Sequence, residues 1–305
     1  MINNKIKPLF KYIGGKSWLR DELRSAINQN LNHKITTYIE PFAGGLGAFL
    51  SVYDILLENS IRNVTLSDIN KTLIFTYNSI KVEPLNLINE FLLLENEFNK
   101  QVNPLWKETK DKSECKKYLK EAELFFNKIK KEFNSNKNNI NIKQSARLIF
   151  LQKHAFNGIY RENLKGEYNT PFNWSGSNML ESIEVKVIEI SKLFNQFNLE
   201  FKCQSFDEIE YNNHTLYYLD PPYLNEEINE NKYNKNSFGI KEQLLLLDKI
   251  KNKNFIYSNH KAKLLLDEFD KFKDLQIKEI ARKNIMSAKS STRQDDKIEI
   301  LVSSK

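Results

Sequence analysis

The sequence predicts an α/β fold in which an open parallel sheet is interrupted by a mostly helical insertion. Three observations support this. A glycine turn at residues 44–47 separates a strand-like from a helix-like segment, strand and helix patterns alternate at both ends of the chain, and the composition changes over residues 77–179. We therefore expect one domain formed by residues 1–76 and 180–305, and a second, inserted domain formed by residues 77–179.

The first part of the sheet domain begins with a predicted helix. Apolar side chains recur at helical spacing over residues 17–30, and Ser17 is the expected N-cap. The strand-like "TTYIEPF" follows, then "GGLGAFLSVYDILLEN", a glycine turn that opens a helix, then a second strand in "NVTLSDIN". This order is the βαβ pattern of a parallel sheet.

The insertion is rich in lysine. Over residues 107–137 we expect a helix followed by an Asn/Lys loop, with the lysines on a solvated face rather than in a binding site. The sheet domain resumes with a helix in "SIEVKVIEISKLFNQF", strands in "LEFKCQSF" and "TLYYLD", and a helix and strand in "KEQLLLLDKIKNKNFIYSNH". A Ser/Lys/Arg loop, expected to contact phosphates, precedes the last strand.

Composition excludes several classes of protein. The 305 residues are 40% apolar, enough for a folded globular core. No apolar run approaches the roughly 18 residues of a membrane span, and the start lacks the pattern of a signal peptide, so we expect a cytoplasmic protein. The two cysteines and four histidines are scattered, which predicts neither a disulfide scaffold nor a metal site.

The chain is basic. Its formal charge is +7 and its pI is near 9.0, which permits a polyanionic partner such as nucleic acid. The excess of Lys, Asn and Ile has a second explanation in an A+T-rich coding genome. Charge alone does not choose between the two.

The segment "YIEPFAGGLGAF" predicts a ligand without phosphates. Its glycines allow a tight turn and close backbone approach, but they match neither G-x-G-x-x-G nor the G-K-[ST] of a phosphate loop. Asp68 ends the second strand about 20 residues later, where an acidic side chain binds ribose hydroxyls. Asp68 could also be the N-cap of the next helix.

The segment "YLDPPY" places an acidic residue and a rigid corner after a buried strand. Proline ends strands because it lacks a backbone donor. The corner would fix the Asp220 carboxylate and the Pro221 carbonyl, while the Tyr223 ring could stack on a planar substrate. Two acceptors beside a ring suit the exocyclic amine of a nucleobase. The alternative is a simple turn capped by aspartate.

Taken together, these segments resemble a known family. "PLFKYIGGKSWL", "YIEPFAGGLGAF", "LSDIN", "FLQKHAFNGIYRENLKGEYNTPF", "YLDPPY", "NSF" and "IYSNH" follow one another as in the Dam-type DNA adenine-N6 methyltransferases, the α group or D12 class. The resemblance implies a Rossmann-like fold that uses S-adenosylmethionine, without a metal, and carries an inserted target-recognition domain.

The resemblance also implies the roles of individual residues. The catalytic corner is Asp220, Pro221, Pro222 and Tyr223. S-adenosylmethionine would be bound by Tyr12, Lys16, Glu40, Pro41, Phe42, Ala43, Gly44, Asp68 and Asp220. By the resemblance, Tyr12 would stack on the adenine of the cofactor, Asp68 would bind its ribose, and residues 40–44 would line its methionine. The family more often has tryptophan where this chain has Tyr12.

Target recognition is implied for the segment "NGIYRENLKGEYNTPF". Arg161 would donate to guanine O6 and N7, and Ile159 would pack on bases. Phe156 would intercalate, with Asn157 facing the base left unpaired after flipping. The remaining implied DNA contacts are Lys11, Asn163, Pro171, Asn236 and Ser237. These matches suggest GATC as the target. The alternative for Arg161 is pairing with Glu162 or Glu167 on a surface turn.

The resemblance therefore predicts methyl transfer from S-adenosylmethionine to N6 of a flipped adenine in double-stranded DNA. We expect a monomer. The sequence leaves open whether the enzyme is a solitary methylase or the partner of a restriction endonuclease that acts on the same site. The role of the lysine-rich segment 107–137 also stays open. Two alternative functions also stay open: methylation of another exocyclic amine, such as cytosine N4 or RNA adenine, and DNA binding without catalysis.

Overall fold

The computed structural model of the chain describes residues 6–11, 16–109, 111–175, 182–224, 238–281 and 298–304. Three predicted site residues, Tyr12, Asn236 and Ser237, lie outside these ranges. So does the Ser/Lys/Arg loop that the sequence places before the last strand. Their predicted roles are therefore based on the sequence alone.

The described chain alternates helices and strands. The helices are α1 Arg20–Asn30, α2 Phe49–Glu58, α3 Lys71–Val82, α4 Pro84–Asn99, α5 Lys112–Tyr118, α6 Lys120–Ser135, α7 Ile142–His154, α8 Ile183–Phe194, α9 Ile240–Ile250 and α10 Lys263–Phe269. The strands are β1 Thr37–Glu40, β2 Asn63–Asp68, β3 Asn198–Cys203, β4 Thr215–Leu219, β5 Asn254–His260, β6 Leu275–Ala281 and β7 Ile298–Ser304. None of these described helices is long and apolar enough to span a membrane. The cytoplasmic location stays a prediction.

The chain divides into two compact units. The helical unit comprises Met1–Lys16, Gly44–Leu50 and Ile69–Phe197, and the sheet unit comprises Ser17–Ala43, Ser51–Asp68 and Asn198–Lys305. This division by packing has other bounds than the predicted division by function, which separates residues 77–179 from the rest. The functional division stays a prediction.

The sheet unit contains the seven strands of the described chain, in the order β3-β2-β1-β4-β5-β7-β6. The strands β1 to β5 pair in parallel. β7 runs antiparallel between β5 and β6. The predicted α/β fold with a mostly parallel sheet is confirmed, whereas the antiparallel pair at its edge was not predicted.

Burial follows position in the sheet. Every residue of β4, "TLYYL", is buried, and so are the five central residues of β5. Central parallel strands are covered on both faces, so their sequences read as continuous apolar runs. β6 is a mostly exposed edge strand with the sequence "LQIKEIA", which has no clear alternation. The core around β4 and β5 is rich in leucine, phenylalanine and isoleucine.

The helical unit contains the lysine-rich segment as two helices, α5 and α6, which meet at Leu119. On one face α6 buries apolar side chains, among them Phe126 and Phe133. Its opposite face exposes Lys120, Lys128 and Lys131. The predicted helical structure with a solvated lysine face is confirmed for this helix.

Two predicted helix caps are wrong. Ser17 lies inside a 3-10 turn, Lys16–Leu19, that leads directly into α1, so the backbone is already helical before a serine cap could act. Asn70, not Asp68, caps α3, because its side chain accepts a hydrogen bond from the Leu73 N–H at 3.0 Å. The alternative role of Asp68 as an N-cap is therefore excluded.

Candidate functional site

The strand order reverses between β1 and β4, because the chain proceeds from β1 to β2 and β3 on one side and then returns to β4 on the other. Open α/β sheets bind ligands at the carboxyl ends of the strands beside such a reversal. Here β1 ends at Glu40, and Asp220 directly follows β4. The topology thus brings two of the predicted site residues to one edge of the sheet.

Glu40 is fixed in the core of this edge. It is 1% exposed, and its Oε1 accepts a hydrogen bond from the Tyr38 hydroxyl at 2.7 Å. Burial and the neighbouring Glu40 raise the pKa of Tyr38, so this tyrosine stays a donor. Ser67 joins the ends of β1 and β2: its hydroxyl donates to the Glu40 carbonyl at 3.3 Å, and its carbonyl accepts from Ala43 N–H at 2.9 Å. The half-buried Asp68 follows Ser67 at the end of β2.

An aromatic wall follows β1. Phe42 contacts Phe206 with ring centroids 5.7 Å apart and Phe238 with centroids 5.5 Å apart, and Phe206 and Phe238 contact each other. Pro41 and Ala43, on either side of Phe42, are buried. The sequence predicted Phe42 as a site residue but not Phe206, which follows β3.

The glycine turn belongs to the helical unit from Gly44 onward. Gly44 has a φ of +45°, a conformation that favours glycine, and its carbonyl accepts a hydrogen bond from the Tyr77 hydroxyl at 2.7 Å. A Cβ added at Gly47 would lie 3.7 Å from the backbone nitrogen of Lys16, which is an ordinary van der Waals contact. Lys16 itself is 2% exposed. The turn therefore favours glycine at Gly44, while space alone does not require it at Gly47.

Two hydroxyl groups orient the Asp220 carboxylate. The Ser258 hydroxyl donates to Asp220 Oδ1 at 3.2 Å, and Ser258 is itself 3.0 Å from the Tyr218 hydroxyl. Since Ser258 has one proton, Tyr218 must donate to Ser258. Burial and the nearby Asp220 charge raise the pKa of Tyr218 well above its ordinary value, so it keeps that proton. Neither Tyr218 nor Ser258 was among the predicted site residues.

The corner after Asp220 buries Pro221, exposes Pro222 and half-buries Tyr223. The Tyr223 hydroxyl donates to Glu299 Oε1 at 3.0 Å, and its ring contacts the His260 ring with centroids 3.9 Å apart. Glu299 lies on β7, opposite His260 on β5. The tyrosine ring is thus held by two neighbouring strands.

In the helical unit, the predicted intercalating residue is exposed. Phe156 is 54% exposed, and its N–H donates to the Pro171 carbonyl at 2.8 Å. Asn157 has a φ of +56°, a left-handed conformation that asparagine tolerates better than most residues. Lys11 forms a parallel bridge with Ile159. The structure therefore brings Lys11, Ile159 and the predicted intercalating turn together.

A buried ionic cluster precedes this turn. Glu95 on α4 accepts from Lys153 Nζ at 2.6 Å and lies 2.8 Å from His154 Nε2, at the end of α7. The His154 ring packs on Phe98 with centroids 4.0 Å apart. The cluster fixes the end of α7 two residues before Phe156. No pattern in the sequence indicated this cluster.

Arg161 lies exposed at the start of a short hairpin, residues 161–169, which is closed by the antiparallel bridge between Glu162 and Tyr168 and by the hydrogen bond from the Asn169 N–H to the Arg161 carbonyl. Its Nε donates to Asn169 Oδ1 at 2.7 Å. Glu162 accepts a hydrogen bond from Tyr160, and Glu167 accepts one from Asn163 at 2.8 Å. The alternative that Arg161 pairs with one of these glutamates is wrong, because in the described structure its guanidinium bonds to the side chain and the carbonyl of Asn169 instead.

A family model described as D12 class N6 adenine-specific DNA methyltransferase matches residues 12–286. The chain belongs to this family. It is an adenine-specific DNA methyltransferase, and its family implies S-adenosylmethionine as methyl donor. The predicted resemblance is thus confirmed.

Named relatives agree with the family. This methyltransferase is 30% identical to Type II methyltransferase M.MjaIII of Methanocaldococcus jannaschii, over 98% of this chain and 99% of the relative. It is 25% identical to Type II methyltransferase M1.LlaDCHI of Lactococcus lactis subsp. cremoris, covering 95% of this chain and 93% of the relative. It is 26% identical to a DNA adenine methylase of Haemophilus influenzae, covering 92% and 89%.

Proposed function

We propose that this methyltransferase acts on an adenine flipped out of duplex DNA within GATC, with Asp220 and Pro221 as the acceptors for the adenine amine. The observation that carries the proposal is the position of Asp220, which follows β4 at the strand-order reversal and is oriented by Ser258. Rigid placement of acceptors where charge changes in the transition state is a large source of catalysis.

The residues of the sheet edge suit the cofactor that the family implies. S-adenosylmethionine supplies, when bound, an electrophilic methyl group on a positively charged sulfur. Glu40 and Asp68 provide carboxylates for ammonium and hydroxyl donors, and Phe42 provides an apolar wall. We propose Tyr12, Lys16, Pro41, Ala43 and Gly44 as further contacts. The turn lacks a phosphate-loop sequence, which agrees with a cofactor without phosphates.

Adenine N6 is a weak nucleophile because its lone pair is delocalised into the ring. We propose that the Asp220 carboxylate and the Pro221 carbonyl accept the two N6–H groups and thereby localise that lone pair. Pro222 makes the corner rigid, and Tyr223 stacks on the base. Catalysis then depends on positioning and electrostatics and needs no covalent enzyme intermediate. After methyl transfer the adenine N6 carries a positive charge, and one of its protons leaves to water.

For target recognition, we propose that residues 153–172, which include the hairpin, read the DNA. Arg161 is exposed and already oriented by Asn169, so its guanidinium could donate to guanine without reordering. Ile159 and Lys11 would contact neighbouring bases. Phe156 and Asn157 would fill the gap that the flipped base leaves. Filling the gap would offset part of the cost of flipping, which is a few kcal/mol. Further proposed contacts are Asn163, Pro171, Asn236 and Ser237.

The cellular role is proposed from the names of the relatives. Two of them are Type II methyltransferases, which favours a restriction endonuclease with the same specificity as a partner. The DNA adenine methylase relatives fit a solitary role. We propose that the enzyme works as a monomer on double-stranded DNA. Deleting a neighbouring nuclease gene and testing whether the methylase becomes dispensable would separate these roles.

The test uses labelled S-adenosylmethionine and paired duplexes containing GATC or a scrambled site. We expect N6-methyladenine in the GATC duplex alone, and its loss in Asp220→Ala. The matched control is Asp248→Ala, which removes an exposed aspartate from α9 and should leave the rate unchanged. Equal labelling of both duplexes would contradict the GATC assignment. An active Asp220→Ala would contradict the proposed catalytic role.

A further inference from the structure

Three buried polar side chains lie beneath the catalytic corner. They are Gln243 on α9 and Tyr257 and Asn259 on β5, and each is 0% exposed. The Tyr257 hydroxyl joins the other two: it donates to Gln243 Oε1 at 2.8 Å and accepts from Asn259 Nδ2 at 3.0 Å. Buried polar groups are costly unless they are fully hydrogen-bonded, so this row of three side chains needs defined partners at both of its ends.

The two outer side chains of this row, Gln243 and Asn259, bond to the backbone on either side of Tyr223. Gln243 Nε2 donates to the Pro222 carbonyl at 2.9 Å, on one side of the tyrosine. Asn259 Oδ1 accepts from the Leu224 N–H at 3.3 Å, on the other side. The three side chains and the Pro222–Leu224 backbone thus close a ring of hydrogen bonds around Tyr223.

The direction of every bond in the ring is determined. The Leu224 and His260 N–H groups can donate but not accept, so Asn259 presents its oxygen to them. Its amide nitrogen therefore faces Tyr257, which must give its own proton to Gln243. The Gln243 amide nitrogen then faces the Pro222 carbonyl, which can accept but not donate. Each group has one arrangement in which all bonds form.

We propose that Gln243, Tyr257 and Asn259 are positioning residues that set the orientation of Tyr223 for methyl transfer. The inference rests on the proposed function, in which Tyr223 stacks on the adenine. The surrounding core is apolar, with Leu246, Phe255 and other buried side chains packed beside the ring. An apolar core alone would not fix the rotation of the two peptide groups, whereas bonds to their carbonyl and N–H do.

The main test is Tyr257→Phe, which removes the oxygen that joins the two amides. We expect the single-turnover rate constant of methylation to fall at least about tenfold, since small misplacement of a reacting group has large kinetic effects. The dissociation constant for DNA should stay within about twofold, because the proposed DNA contacts at residues 156–171 belong to the helical unit and do not depend on this ring. Retention of the wild-type rate constant would overturn the inference.

Tyr217→Phe is the matched control. Tyr217 lies on the neighbouring strand β4 and is also 0% exposed. Its hydroxyl accepts from Asn212 N–H at 2.8 Å and contacts the Glu210 carbonyl at 3.4 Å, away from the corner. We expect a similar loss of thermal stability with an unchanged rate constant. An equal loss of rate in both variants would mean that the ring acts through stability alone, and would overturn the inference.

A second variant keeps the test decisive if Tyr257→Phe does not fold. In Gln243→Glu, the protonated carboxyl can still accept from Tyr257 and donate to Pro222, but the ionised form cannot donate. We expect its rate constant, relative to wild type, to recover as the pH falls. A pH-independent ratio would overturn the inference. A wild-type enzyme that leaves adenine N6 unmethylated would instead remove the proposed function and this inference together.

Discussion

Glu95 and Asp220 are two carboxylates that are accommodated in different ways. Glu95 is bonded to Lys153 and His154, so its charge is matched by neighbouring donors in a buried setting. Asp220 is half-buried and accepts from the Ser258 hydroxyl, a bond that orients the carboxylate without adding positive charge. The first arrangement suits a structural role, and the second suits an acceptor for a substrate amine.

Removing the Glu95 charge should destabilise the protein. Glu95→Gln leaves the Lys153 ammonium, whose side chain is 6% exposed, without its anion. Breaking a buried pair in this way costs about 3–5 kcal/mol of unfolding free energy. Urea denaturation at pH 7 measures it. The control is Glu97→Gln on the same helix, where an exposed pair with Lys100 should cost less than about 1 kcal/mol. Equal effects in the two variants would contradict the structural role of Glu95.

The same cluster should make stability depend on pH. The pKa of Glu95 is lowered: burial opposes the charged form, but hydrogen bonds from His154 and Lys153 outweigh it. Its contribution is therefore complete above the ordinary value of 4.5 and is lost as the pH falls through the folded pKa. We expect the cost of Glu95→Gln to shrink as the pH falls from 4.5 to 3.5, as the Glu95 carboxylate of the wild type becomes protonated. A constant cost down to pH 3.5 would contradict this.

His154 should make the free energy of unfolding depend on pH over a higher pH range than Glu95 does. Burial lowers its pKa below the ordinary 6.5, although Glu95 opposes the shift. The unfolded chain then binds a proton near pH 6 that the folded protein does not, so stability falls as the pH drops below about 6.5. Unfolding free energies of the wild type at pH 7.5, 6.5 and 5.5 measure the decline. Stability that rises over this interval would show that His154 is protonated in the folded state.

At the scale of elements, the hairpin at 161–169, which we propose for target recognition, depends on α6. Asn134, in the last turn of α6, donates to the Tyr168 carbonyl at 3.1 Å and accepts from its N–H at 2.8 Å. The Phe133 ring packs on Tyr168, and Lys137 donates to the Lys165 carbonyl at 3.2 Å. The lysine-rich insertion therefore has a structural role, which is to support the hairpin from one side.

Asn134→Ala should loosen the hairpin without unfolding the unit. The Tyr168 N–H and carbonyl would lose their partners, at a cost of about 1–3 kcal/mol. We expect faster hydrogen exchange at the Tyr168 amide and weaker discrimination between a target site and its single-base variants. Asn127→Ala, an exposed asparagine on the same helix, is the control and should change neither. Unchanged exchange in Asn134→Ala would contradict the supporting role of α6.

The elements that sequence could predict are those with a local signal. The buried run of β4, the glycine turn before α2 and the Asp-Pro-Pro-Tyr corner each carry their pattern within about ten residues. Ser258, Gln243 and Asn259 could not be assigned in this way, because tertiary packing brings them to the corner from elements that follow it. The edge strand β6 was missed because its exposed residues do not alternate.

For the whole molecule, the net charge of +7 fits a DNA substrate. DNA is a polyanion, and a protein that neutralises its phosphates releases bound counterions, so affinity falls as salt rises. The lysine bias of an A+T-rich genome and the demands of DNA binding are compatible explanations. The exposed lysines of α6 lie on the unit that carries the proposed recognition hairpin.

Binding to a DNA duplex, with or without the GATC site, should weaken as the salt concentration rises. With roughly six phosphate contacts, we expect about a thousandfold loss of affinity between about 50 and 200 mM salt. Fluorescence anisotropy measures the slope of the logarithm of affinity against the logarithm of salt concentration. Thermal unfolding over the same salt range controls for loss of folded protein. A slope near zero would show that charge contributes little to DNA binding.

The position of residues 69–197 between β2 and β3 also affects how the chain folds during translation. The ends of β2 and β3 pair in the finished sheet, yet this whole stretch is made between them. At about 5–20 residues per second, a ribosome needs roughly 6 to 26 s to synthesise it. During that time β1 and β2 lack their later neighbours β3 and β4, and unpaired strand edges invite aggregation. We expect chaperones to raise the yield of this enzyme during synthesis more than during refolding of the complete chain.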